Sequence, residues 1–81
     1  MSAIYRELYR LSAPNGDYVT VEECDGLFRF VARSLYTEEL YDGRVVKLPK
    51  VDLMSGVYNS ANDAERDARA QIPWLRKENS N

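Results

Sequence analysis

Eighty-one residues make one small domain with a thin core, since a chain of this size buries only roughly 60–65% of its unfolded surface. Apolar residues at 44% and charged residues at 30% are ordinary globular composition, and a net charge of −2 disfavours a broadly basic nucleic-acid binder. The absence of histidine removes most zinc sites, every Ser-His-Asp or Cys-His arrangement and any imidazole switch; the single cysteine closes no intrachain disulfide and points to the cytoplasm; and no apolar run approaches the ~18 residues of a membrane span.

Residues 4–11 fit a helical stripe (Ile4, Leu8, Leu11) or one face of a strand (Tyr5, Tyr9, Leu11), and the tyrosines and the turn that follows favour the strand. Ala13-Pro14-Asn15-Gly16-Asp17 carries hairpin-turn chemistry, and the alternation of Tyr18-Val19-Thr20-Val21-Glu22 reads as a second strand. After the Asp25-Gly26 turn, residues 27–36 form the clearest strand of the chain. A third turn at Asp42-Gly43 introduces a short strand over 44–48, which Pro49 is expected to end because proline has no N–H for a ladder. Residues 49–57 read as a crossing loop or a short edge strand. Ser60 followed by Asp63 marks a helix start, Ala61, Ala64, Ala68 and Ile72 give it a narrow apolar face, and Pro73 stops it. Trp74 and Leu75 are expected to fold back on the core. The prediction is therefore an α+β domain over residues 1–75, an antiparallel sheet of three to four strands in chain order with one C-terminal helix on one face, followed by a flexible polar tail over 76–81.

The chemistry left to such a chain is narrow. Cys24 lies among Glu22, Glu23 and Asp25, an acidic setting unlike the cationic one that activates a thiol. The acids at 22–25 and 38–39 sit at strand ends and turns, where solvation keeps carboxylates ordinary, and the four glycines are spread over separate turns rather than gathered into a phosphate loop. No catalytic residue, metal ligand or cofactor site emerges.

One sheet face is left without a helix, and alternation decides what it carries. If Phe28, Phe30 and Ala32 face the helix, then Arg29, Val31 and Arg33 face away. Taking Tyr5, Tyr9 and Leu11 inward on the first strand puts Arg6, Leu8 and Arg10 outward, and Tyr18 joins them from the second, with Glu22 as counter-charge. Arg6, Arg10, Tyr18, Arg29, Val31 and Arg33 are thus a candidate binding face. Arginines beside an aromatic on a flat sheet can hold a single-stranded nucleic acid or another polyanion, or they can simply cover apolar strand surface with their stems. A second candidate is the segment with Val51, Leu53 and Met54, read as a plug for the open sheet end or as an exposed interaction loop.

Residues 25–72 resemble the small bacterial YegP-like module. The likeness rests on Leu27-Phe28-Arg29-Phe30-Val31-Ala32 as a strand and on Gly56-Val57-Tyr58-Asn59-Ser60-Ala61 leading into Ala64-Glu65 and a helix. The segment 37–55 is longer than in that family, and no Asn-Gly turn follows the F-x-F strand. The resemblance implies sheet plus helix and carries no chemistry. The expected role is a non-enzymatic protein-interaction module of bacterial or phage origin, with self-association or a protein partner ahead of nucleic acid, and with no membrane or small-molecule cofactor involved.

Overall fold

The computed structural model describes residues 4–79, with the backbone alone for 77–79. Four strands, β1 (Arg6–Ser12), β2 (Tyr18–Cys24), β3 (Leu27–Glu39) and β4 (Val45–Met54), pair antiparallel in chain order, and two helices follow, α1 (Ala61–Gln71) and α2 (Pro73–Asn79). The α+β reading holds with four strands rather than three. Each connection is a tight hairpin. Asp25 and Gly26 both take positive φ, at 52° and 79°, the pairing that a two-residue turn between right-twisted strands requires. Gly16 (φ 98°) combines the left-handed conformation with a close approach, since a Cβ there would stand 2.6 Å from Leu35 Cδ1.

β4 corrects the sequence reading. It runs through Pro49 to Met54, so residues 49–54 are strand and Val51, Leu53 and Met54 do not lie in a loop. The ladder phase explains why. The Leu40 N–H donates to the Arg44 carbonyl (2.7 Å), and counting back from this bonded pair puts Leu35 and Pro49 opposite each other at a position that exchanges no hydrogen bonds. The nitrogen of Pro49 therefore faces the open edge, where a missing N–H costs the ladder nothing.

α1 starts where Ser60 Oγ accepts the Asp63 N–H (3.1 Å) and lays the fully buried Ala64 and Ala68 on β2 and β3. Pro73 ends it and at once opens α2, because its fixed φ and absent N–H suit a first helical position. Of the tail expected over 76–81, residues 76–79 continue α2, and 80 and 81 lie outside the described residues. Val19, Phe30, Ala32, Ala68, Ile72 and Leu75 form the core, with Leu11, Tyr58 and Trp74 packed at its margin. Leu75 closes the core as expected, while Phe28 and Trp74 are only half-buried. The thinnest dimension is 16 Å, and the described residues form one sheet layer and one helix layer.

Candidate functional site

Two surfaces lie outside the helix-covered core. The first is the sheet face turned away from α1. Cross-strand pairing aligns Arg10, Thr20 and Val31 in one row and Tyr18 and Arg33 in the next, with Glu7, Glu22 and Arg29 in a third. Five of the six residues proposed from sequence, Arg10, Tyr18, Arg29, Val31 and Arg33, therefore come together. Arg6 does not. β1 is bulged at Leu8, so the alternation slips by one residue, and Arg6 aligns with Glu23 and Phe28 on the helix side. The same slip brings Glu7 and Tyr5 to the arginine face, reversing the inward position expected for Tyr5.

Without a covering layer, this face is nonetheless closed. Val31 and Thr20 are fully buried and Glu22 nearly so. Glu22 accepts from Arg29 Nε and from Thr20 Oγ1, both at 2.8 Å, and lies 3.7 Å from Arg33 Nη2. Arg33 Nη1 also donates to Thr20 Oγ1 (2.9 Å). The Arg29 guanidinium stacks 3.7 Å over the Tyr5 ring and Arg10 stacks 4.2 Å over Tyr18. Arg10 grips Glu7 through two hydrogen bonds and holds that carboxyl below the usual carboxylate range. No buried side-chain nitrogen or oxygen among the described residues lacks a partner. The face carries three guanidiniums against two carboxylates, and every one of the three is engaged. It behaves as a lid of arginine stems over an apolar strand.

The second surface is the outer half of the β3–β4 hairpin. β2 reaches β3 only as far as Tyr18 opposite Arg33, so residues 34–39 and 45–50 continue as a two-stranded arm. Seven of the ten large apolar side chains exposed among the described residues lie between Tyr36 and Met54. A bulge at Asp52 shifts the phase of β4, so Val45, Val51 and Met54 share the arginine side while Leu48 and Leu53 join Tyr36 on the helix side. Tyr41 stands fully exposed at the tip. A two-stranded ribbon with no layer over either face is marginal by itself in water.

The edges of the sheet are guarded. Pro49, Lys47 and the Asp52 bulge interrupt the outer edge of β4, and the Leu8 bulge with Arg6 and Arg10 does the same for β1. On the other side of the arm, Leu35 N–H is taken by Asp17 Oδ1 (3.4 Å), and beyond it stand Glu38 and Glu39. Strand addition is thereby opposed on every edge, and contact is left to the side-chain faces.

Where the arm leaves the base, a cleft of about 250 Å³ opens on the helix side. Ala32, Leu53, Ile72, Pro73 and Trp74 line it, with Asp17, Arg33, Asp52 and Gln71 as its polar residues. A larger depression of about 480 Å³ lies over α1, but its arginines are occupied: Arg66 by Asp63 (2.6 Å), Arg69 by Glu65 (2.9 Å) and Arg76 by the Ala70 carbonyl (3.3 Å).

Cys24 Sγ faces Asp25 Oδ2 at 3.8 Å. No group of three or more metal-binding side chains converges, and no helix is long and apolar enough to cross a membrane, among the described residues. Comparison with protein families, characterised proteins and solved structures gives no match. The exposed arm residues Tyr36 and Leu48, and Trp74 at the cleft, are not among the candidates read from sequence. The signal was present in Val45-Val46-Lys47-Leu48-Pro49-Lys50-Val51, where both phases of the alternation hold apolar residues. A strand with one wet face shows only one apolar phase.

Proposed function

We propose that this domain is a small non-enzymatic protein-interaction module that docks through the faces of its β3–β4 arm. The observation that carries this reading is the run of exposed Tyr36, Val45 and Leu48 on a ribbon that no other described element covers, continued into the base by exposed Val51, Leu53 and Met54. Guarded edges and open faces together favour side-chain docking over strand addition. A single cysteine, free in the structure, suits a reducing compartment and supports a cytoplasmic reading. The arginine face gives less support to polyanion binding, because a surplus of one charge corresponds to a salt slope of only about −0.7 on a single strand. The test compares host proteins retained by the immobilised chain with those retained by Val45→Glu and Leu48→Glu variants. Proteins held by the native chain and lost by either variant support the reading; identical retention by all three overturns it.

A further inference from the structure

On the helix side the molecule has a step. α1 packs over β2 and β3, and its layer ends at the cleft walled by Ile72, Pro73 and Trp74, while the sheet runs on beneath. The step is floored by Leu53, Leu48 and Tyr36. Its height is that of one helix layer on a sheet, close to the ~10 Å at which a second sheet packs.

Resting on the interaction-module reading, we infer that a second copy of this chain fills the step, its arm laid helix side down and antiparallel on the first. A body with one step and one projecting arm is self-complementary under a two-fold axis, since each arm fills the step of the other. An axis close to Lys50 and its neighbour Ser34 brings Tyr36 and Leu48 of each copy over Leu53 and Trp74 of the other. The charges agree with this placement. Lys50 is exposed, tied to its own Asp52 only at 3.9 Å, and it projects on the face that meets the rim of the second copy, where Asp17 and Asp52 outnumber Arg33 by one charge. The two Lys50 side chains flank the axis, each reaching across to that rim. The contact is two strands wide, below the ~1,200 Å² of standard interfaces, so dimerisation is weak, with a dissociation constant on the order of 10 μM.

Sedimentation velocity on the full chain from about 5 to about 500 μM tests this, with circular dichroism confirming that each surface variant stays folded. The native chain is expected to pass from monomer to dimer. Leu48→Glu should weaken the dimer at least ~30-fold, and Val45→Glu, on the opposite face, by less than ~3-fold. A mixing experiment isolates the contact between copies. Lys50→Glu alone and Asp52→Lys alone each set like charges across the axis and should stay monomeric, whereas an equimolar mixture restores both inter-copy pairs and should dimerise. A native chain that remains monomeric, a dimer indifferent to Leu48→Glu, or a mixture no better than its components overturns the inference. If such a chain still loses host partners on Leu48→Glu, the second copy is excluded and the module reading stands; if host retention is also unchanged in both arm variants, both readings fail.

Discussion

Phe30 and Val31 are neighbours in β3 that point to opposite sides of the sheet, and both are fully buried, one under α1 and the other under arginine stems. Six residues beyond Phe30, Tyr36 faces the same side as Phe30 and is 40% exposed. One continuous strand thus passes from a region closed on both faces to one closed on neither. The difference teaches how a face without a helix can be shut. At the base, Glu22 is positioned to neutralise Arg29 and Arg33 at once, so two long side chains lie flat over Val31. On the arm, Tyr36 stands opposite Leu48, Glu38 opposite Val46 and Thr37 opposite Lys47, so no buried carboxylate anchors a cation across the ribbon. Covering an apolar strand with polar residues requires a paired network, and the arm has none.

The comparison can be broken most forcefully from the base. Phe30→Ala should cost about 3–5 kcal/mol in chemical denaturation, enough to unfold a domain this small, while the same substitution at Tyr36 should cost under about 1 kcal/mol. Next, Glu22→Ala leaves Arg29 and Arg33 without their shared carboxylate and should cost about 2–3 kcal/mol. A loss below about 0.5 kcal/mol would mean that the arginine lid contributes nothing to closing that face.

A smaller effect is expected at the hydrogen bond from Tyr9 to Glu65 (2.6 Å), which ties β1 to α1. Tyr9→Phe should cost about 1 kcal/mol near neutral pH. The pH dependence has two limbs. The Tyr9 hydroxyl, and then Arg69, hold the Glu65 carboxyl below its ordinary 4.5, so its contribution is present above that value and is lost as pH falls through the lowered one. Burial, and then the bond to Glu65, push Tyr9 from 10.0 up to about 12, so its contribution is present below 10 and is lost as pH rises towards 12. Thermal melts from pH 3 to 11 should show both limbs flattened in Tyr9→Phe. The smallest effect belongs to the arm. Tyr36→Ser with Leu48→Ser should shift monomer stability by no more than about 0.5 kcal/mol each while abolishing association. A larger loss would mean that the arm holds the monomer together, and would remove the contrast between the two regions.

The base was the more legible part of the chain. Turn residues at 13–17, 25–26 and 42–43 and the alternation of β2 and β3 specify the meander, and the alanine spacing specifies where α1 lies. Strict alternation failed at single-residue bulges. Nothing in Arg6-Glu7-Leu8-Tyr9 announces that Leu8 is an extra residue, because a bulge is settled by pairing with Val21 and Glu22 rather than by local propensity. Arg6 was misassigned for that reason. Pro49 misled in another way: a rule valid for a central strand was applied to an edge strand, and edge position is a property of the assembled sheet. α2 was missed because Pro73 reads equally as a stop and as a first helical residue.

The order of the sheet also bears on how the chain acquires its structure. Each strand pairs with its immediate predecessor through a short turn, so the ladder can close progressively as the polypeptide leaves the ribosome. The helix that covers Val19, Phe30 and Ala32 is encoded after all four strands. During synthesis there is therefore an interval in which a complete sheet exists with its apolar side bare, and in that interval the bulges, Pro49 and the edge charges stand between the nascent chain and its neighbours.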